Sequence, residues 1–74
     1  MYTYYCIKVY LVNGKYGYAA YGELTSNINN SMFFDTFQEA KDWYNKNTKY
    51  ATYGGVAVDT SRCSIVSVNS AEEL

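Results

Sequence analysis

The sequence has 74 residues, of which 49% are hydrophobic and 18% charged, with six Lys and Arg against seven Asp and Glu. The hydrophobic share is too high for a disordered tail, and the length indicates a single domain over residues 1–74. A formal net charge of −1 favours a protein partner and makes nucleic acid an unlikely one, because proteins that bind mainly to phosphates carry a clear excess of Lys and Arg.

No run approaches the roughly 20 apolar residues of a membrane span, and the N-terminus lacks a signal-peptide pattern. We therefore expect a cytoplasmic protein that does not contact a membrane. The two cysteines, Cys6 and Cys63, are then expected to be free thiols, buried or half-buried. Because the chain has no His, we expect no metal site, no cofactor and no enzymatic activity.

Residues 1–24 predict a hairpin. Residues 2–12 and 15–24 are rich in aromatic and β-branched types, and Asn13-Gly14 between them is the dipeptide preferred in a two-residue type I′ turn. Such a turn pairs positions whose numbers sum to 27. Tyr10 would then face Gly17, with its ring over the bare glycine, and Tyr4 would face Glu23.

Alternation along the two predicted strands gives the hairpin two faces. The predicted core face carries the aliphatic residues of the first strand and several residues of the second: Tyr5, Ile7, Val9, Leu11, Tyr16, Tyr18, Ala20 and Leu24. The predicted outer face carries most of the charged residues and four tyrosines: Tyr2, Tyr4, Cys6, Lys8, Tyr10, Val12, Lys15, Ala19, Tyr21 and Glu23.

A polar loop over residues 25–31 and the apolar residues 32–34, which we expect beneath the sheet, lead to a helix over residues 36–47. Thr36 and Glu39 have the spacing of a capping box, and Asp35 is an alternative cap. Helical spacing predicts one apolar side that packs on the hairpin core, made of Phe37, Ala40, Trp43 and Tyr44.

Residues 55–68 predict a second hairpin, in which residues 56–59 pair with residues 63–68. The turn at residues 60–62 has either two or three residues, and the two lengths give different registers. Residues 69–74 are expected to be a frayed tail. The predicted fold is a two-layer α+β domain of order ββαββ, with one helix on one face of a four-stranded, mainly antiparallel sheet.

One helix covers only one face, so the predicted outer face meets water, a second subunit or a partner. Tyrosine gives a large contact area at low entropic cost, and charged neighbours set orientation and association rate. We therefore predict a partner-binding surface made of Tyr2, Tyr4, Lys8, Tyr10, Lys15, Tyr21 and Glu23. Three alternatives are a homodimer through this face, stacking of single-stranded nucleic acid on it, and tyrosines present only for their β-propensity.

The composition adds a clue to origin, since Lys, Asn and Tyr, which have AT-rich codons, make up 22 of the 74 residues. With its hairpin, helix and second hairpin, the chain resembles the small inhibitory proteins of bacteriophages and mobile elements, including anti-CRISPR proteins. The resemblance is one of overall style and transfers no functional residue. It implies a stoichiometric inhibitor that occludes a site on a larger host nuclease or nucleoprotein complex in the host cytoplasm.

Overall fold

The structure is a computed structural model and describes residues 2–70. Its elements are β1 (Tyr2–Tyr10), β2 (Tyr16–Ala20), β3 (Glu23–Thr25), a 3-10 turn (Ile28–Asn30), α1 (Phe37–Asn47), β4 (Thr52–Tyr53), β5 (Val56–Ala57) and β6 (Ser64–Ser70). Four strands form an antiparallel sheet in the order β3-β2-β1-β6, and β4 pairs with β5 in a small separate hairpin. The predicted α+β class, with one helix and a four-stranded antiparallel sheet, is confirmed. Within residues 2–70, the helix is too short and too polar to cross a membrane.

The turn between β1 and β2 is longer than predicted. The Gly14 N–H donates to the Leu11 carbonyl at 2.9 Å, and the Leu11 N–H donates to the Lys15 carbonyl at 2.8 Å. Gly14 has a φ of 89°, so it supplies the left-handed residue that ends a three-residue loop over residues 12–14. The Asn13 side chain accepts the Lys15 N–H at 3.0 Å and holds this loop closed. The predicted two-residue turn is therefore wrong.

The longer loop shifts the β1–β2 register by one residue. Tyr10 pairs with Tyr16, and Val9 pairs with Gly17, so the paired numbers sum to 26 instead of 27. A shift of one residue moves every side chain of a strand to the other face. Tyr16 and Tyr18 therefore lie on the face that carries Lys8 and Tyr10, and their predicted place in the core is wrong.

Gly17 and Ala19 take the helix-facing positions of β2. Ala19 belongs to the buried core, and a Cβ added to Gly17 would lie 3.0 Å from the Leu24 Cβ on β3. The strand therefore passes too close to Leu24 for a larger residue. The predicted cover of Gly17 by Tyr10 is wrong, because the two residues point to opposite faces of the sheet.

The predicted second strand is divided in two by a reversal at Tyr21 and Gly22. Gly22 has a φ of 72°, which lets the chain turn within two residues so that Ala20 pairs with Glu23. Glu23 is therefore the first residue of an edge strand, and the predicted pairing of Glu23 with Tyr4 is wrong.

Residues 32–34 return the chain to β1. The amides and carbonyls of Phe34 and Tyr5 bond each other at 2.9 Å in both directions. The Phe34 ring packs against the core, with its centroid 6.0 Å from that of Trp43. The neighbouring Phe33 is 44% exposed and contacts the Tyr4 ring at 5.3 Å, so only part of this segment lies beneath the sheet as expected.

The predicted helix and its cap are confirmed. The Thr36 hydroxyl accepts the Glu39 N–H at 3.1 Å, and the Glu39 carboxylate accepts the Thr36 N–H at 3.2 Å. Ala40 is fully buried against the sheet, and Trp43 and Tyr44 pack around it. Alternation predicted four core residues in the first strand: three of them are in the buried core, and the fourth, Tyr5, is partly buried against it. The members of the buried core are Ile7, Val9, Leu11, Ala19, Ala40 and Val58.

The predicted pairing of residues 56–59 with residues 63–68 is wrong, because both segments pair with β1. β6 runs antiparallel to β1 from Tyr2–Ser70 to Lys8–Ser64, and Val58 lies opposite Leu11 further along. Gly54 and Gly55, both with positive φ, form the tight turn of the β4–β5 hairpin. This hairpin turns the chain toward the end of β1. Residues 69 and 70, predicted as part of a frayed tail, are paired in β6, and residues 71–74 lie outside the described residues.

Candidate functional site

The face of the sheet opposite α1 carries three tyrosines and two cations in mutual contact. We call these five residues the aromatic–cationic cluster: Lys8, Tyr10, Tyr16, Tyr18 and Arg62. Lys8 and Tyr10 come from β1, the other two tyrosines come from β2, and Arg62 lies just before β6. The one-residue register shift is what brings the β2 tyrosines to this face.

The rings form a continuous row across the two central strands. The Tyr10 and Tyr16 centroids are 5.3 Å apart with planes tilted by 33°, as expected for residues that lie directly opposite each other. Tyr16 and Tyr18 meet edge to face at 6.4 Å and 86°. Both separations fall in the range that favours aromatic pairing. Tyr16 is 55% exposed, so the row presents ring surface to solvent.

The cations lie over the faces of the rings. The Lys8 Nζ is 4.7 Å from the Tyr16 centroid and 5.4 Å from the Tyr10 centroid, and the Arg62 Cζ is 4.5 Å from the Tyr10 centroid. The negative face of a tyrosine ring attracts a cation at these distances. A hydrogen bond with Tyr10 raises the pKa of Lys8 above its ordinary value, and the nearby tyrosine hydroxyls add to the rise.

A compact turn over residues 59–63 positions Arg62. The Asp59 carboxylate accepts the Ser61 hydroxyl at 2.7 Å, and the Asp59 carbonyl accepts the Arg62 N–H at 3.1 Å and the Cys63 thiol at 3.3 Å. The turn is tied to β1, because the Asp59 N–H donates to the Tyr10 carbonyl at 2.8 Å and the Tyr10 N–H donates to the Cys63 sulfur at 3.4 Å. The arginine is therefore held beside the ring that it covers.

Of the predicted site residues, Lys8 and Tyr10 lie in the cluster. Tyr4 is on the same face by alternation along β1, but its ring contacts Phe33 instead. For Tyr2 the structure describes only the backbone, which pairs with Ser70.

The remaining predicted site residues lie apart from the cluster. Tyr21 is 83% exposed in the turn between β2 and β3, and Glu23 begins the edge strand β3. Lys15 bonds through its carbonyl to Leu11, whose side chain is in the core, so pairing assigns Lys15 to the other face from Lys8.

Tyr16, Tyr18 and Arg62 belong to the cluster but were not predicted as site residues. For the two tyrosines the signal was Gly14, because a glycine at the last position of a three-residue loop predicts the register seen here as well as Asn-Gly predicts a two-residue turn. Arg62 was assigned to a turn, and no spacing in the sequence links it to Tyr10.

A groove of about 260 Å³ between α1 and β6 is the second feature with unusual chemistry. Tyr44, Cys63 and Ile65 are among its lining residues. Burial, followed by a hydrogen bond with Cys63, raises the pKa of Tyr44 to about 12. The side chain of Cys6, a residue of β1, lies on the other face of the sheet. Burial there raises the pKa of its thiol despite a hydrogen bond with Ser31.

The aromatic–cationic cluster combines flat ring surface, phenol hydroxyls and two fixed cations. It suits the recognition of apolar and carboxylate groups, and it contains no nucleophile paired with a base. Among residues 2–70, no three His, Cys, Asp or Glu side chains are grouped so as to hold a metal ion. Comparisons of the chain with protein-family models, with curated proteins and with solved structures found no match.

Proposed function

We propose that this chain is a small, non-enzymatic protein-binding module that contacts its partner through the aromatic–cationic cluster. The observation that carries the proposal is the row of three tyrosine rings on the side of the sheet that the helix does not cover, with Arg62 over its first ring and Lys8 over its middle ring. Tyrosine and arginine dominate the residues that contribute most to binding energy at protein interfaces. Rigid rings also lose little conformational entropy on binding.

The cluster favours a partner surface that carries Asp or Glu beside apolar groups. Lys8 and Arg62 already lie over tyrosine rings in the free protein, so a carboxylate that approaches them does not have to order two flexible side chains. Cations at the rim of such an interface raise the association rate more than the affinity. The resemblance to anti-CRISPR proteins supports the further proposal that binding occludes a site on a host nuclease or nucleoprotein complex in the host cytoplasm.

One observation favours single-stranded nucleic acid as a second candidate ligand. The cations of the cluster lie over one exposed ring, Tyr16, and one half-buried ring, Tyr10, whereas Glu23, the predicted acidic neighbour of Tyr4, is on the edge strand β3. Bases stack on such rings, and cations beside them contact the backbone phosphates. The net charge of −1 opposes this reading, since it supplies no general attraction to a polyanion.

A capture experiment with matched variants tests the proposal. Wild-type protein, Tyr10→Ala, and Lys41→Ala on the exposed side of α1 are immobilised, incubated with bacterial lysate and compared by quantitative mass spectrometry. We expect one bacterial protein to be retained by the wild type and by Lys41→Ala, and at least about tenfold less by Tyr10→Ala, as for an interface residue of high energy. Equal retention by all three proteins, or no specific retention, would contradict the proposal.

A binding titration tests the second candidate. Labelled single-stranded DNA and RNA are titrated with the wild type and with Tyr10→Ala at low and at physiological salt. We expect no micromolar binding. Micromolar affinity that falls steeply with salt and is lost in Tyr10→Ala would assign the cluster to nucleic acid instead.

A further inference from the structure

β6 is a long edge strand without the features that normally protect an edge. It is the last strand in the order β3-β2-β1-β6, and its seven residues, Ser64–Ser70, include neither a charge nor a proline. Natural edges are usually shortened or carry Lys, Pro or a bulge, because unpaired amides and carbonyls attract another strand. The opposite edge, β3, has only three residues and begins with Glu23, so it is protected in the usual way.

The backbone groups that β6 directs outward follow from the pairing of β1. Tyr5 bonds Phe34 on the β2 side of β1, whereas the Tyr10 carbonyl accepts Asp59 on the β6 side, so the even-numbered residues of β1 direct their backbone groups toward β6. Their partners on β6 are also the even-numbered residues. In an antiparallel ladder the alternate residues then direct their amides and carbonyls away from β1. On β6 these outward residues are Ile65, Ser67 and Asn69.

We infer that β6 pairs antiparallel with β6 of a second copy of this chain, about a two-fold axis at Ser67. Ser67 is the midpoint of the strand, so this register pairs all seven residues. It sets Ile65 opposite Asn69 of the second copy and forms about six backbone hydrogen bonds between outward-directed groups.

The side chains of β6 suit pairing with a second copy of the same strand. In the register centred on Ser67, Val66 lies opposite Val68 of the second copy, so two apolar β-branched pairs form on the cluster side of the sheet. No like charges meet, because the strand has none. The pairing covers the unprotected β6 edge of each copy, and only the short β3 edges remain at the ends of the resulting eight-stranded sheet. The contact therefore closes as a dimer and does not extend into a fibre.

Sedimentation equilibrium with two lysine variants tests the dimer. We expect the wild type to convert from 8.4 kDa to twice that mass as its concentration rises through the micromolar range. Ser67→Lys places two lysines opposite each other at the axis and should raise the dimer dissociation constant at least about tenfold. Ser26→Lys, in the exposed loop after β3, should leave the dissociation constant unchanged. A wild type that stays monomeric up to about 500 µM would overturn the inference.

Amide hydrogen exchange tests the register and separates this dimer from one formed through the cluster. As the dimer forms, exchange at Ile65, Ser67 and Asn69 should slow, whereas Val66 and Val68 should be protected at every concentration by their bonds to β1. Dimerisation without slower exchange at the three outward amides would overturn the edge pairing. The inference does not rest on the proposed function, and Tyr10→Ala should dimerise like the wild type.

Discussion

Thr48, at the C-terminal cap of α1, offers a sharp test of how burial determines the stability of this fold. The residue is 0% exposed, and its hydroxyl has no hydrogen-bond partner among residues 2–70. A buried hydroxyl without a partner costs about 1–3 kcal/mol, because it gives up its bonds to water and gains none. Valine has nearly the same shape and replaces that hydroxyl with a methyl group. Thr48→Val should therefore stabilise the protein.

The gain in stability expected for Thr48→Val is large relative to the total free energy of unfolding. A 74-residue domain has a free energy of unfolding of about 4–10 kcal/mol, so a gain of about 1 kcal/mol, the lower end of the hydroxyl penalty, is a substantial share. At this chain length such a gain raises the melting temperature by about 4–8 °C. Thr48→Ser keeps the hydroxyl and removes the methyl group, and should lose about 1 kcal/mol.

Urea unfolding followed by Trp43 fluorescence measures both changes, since Trp43 is the single tryptophan and packs against the core. The transition midpoint should rise for Thr48→Val and fall for Thr48→Ser, with the slope unchanged in both. A Thr48→Val protein that is less stable than the wild type would refute the reasoning, because it would mean that the hydroxyl has a partner worth more than its burial costs.

Three further predictions concern the thiols, a phenol and a turn. A thiol reagent at pH 8 should label half-buried Cys63 faster than Cys6, which is fully buried with a raised pKa. Cys63→Ser should remove the fast phase of labelling and keep the slow one. The pKa of Tyr44 is about 12 in the folded protein against 10.0 ordinarily, so the folded state keeps a proton that the unfolded chain loses. Below pH 10 the free energy of unfolding should not depend on this group. From pH 10 to 12 it should fall, and it should fall less steeply in Tyr44→Phe. Urea unfolding at pH 9 and pH 11 measures the difference. Gly14→Ala should lower the free energy of unfolding by about 1–2 kcal/mol, because Gly14 has a φ of 89°, and Gly14→Asn should lower it less. Equal losses of stability in thermal melts of the two variants would argue against a conformational cause.

What could be predicted from sequence was local. The helix follows from the spacing of Thr36 and Glu39 and from apolar residues at helical intervals, all within a dozen positions. The core residues of β1 follow from simple alternation, which needs no knowledge of a partner strand. Each of these features depends only on near neighbours in the chain.

The faces of β2 could not be predicted, because they depend on one residue in the loop. Asn13-Gly14 is compatible with a two-residue turn and with a three-residue loop that ends in a left-handed glycine. The choice decides whether Tyr16 points to the core or to the aromatic–cationic cluster. Two of the five residues of the aromatic–cationic cluster were therefore predicted, since Lys8 and Tyr10 depend on β1 alone.

The partner of β6 could not be predicted either, because pairing between distant segments leaves little trace in local composition. Residues 56–59 and 63–68 look like a hairpin when only the turn between them is considered. Val58 and β6 instead pair with β1 and the residue after it, 47 to 68 positions away, and this pairing also brings Arg62 to Tyr10.

The central place of β1 has a consequence for the way the chain reaches its native state. Among the described strands, β1 is synthesised first, and it has β6, the last of them, as one of its two neighbours, with Tyr2 paired to Ser70. Contacts over such separations form only after a long loop has closed, and closing that loop costs conformational entropy. This small protein should therefore fold slowly for its size. During synthesis one side of β1 stays without its partner strand until β6 emerges.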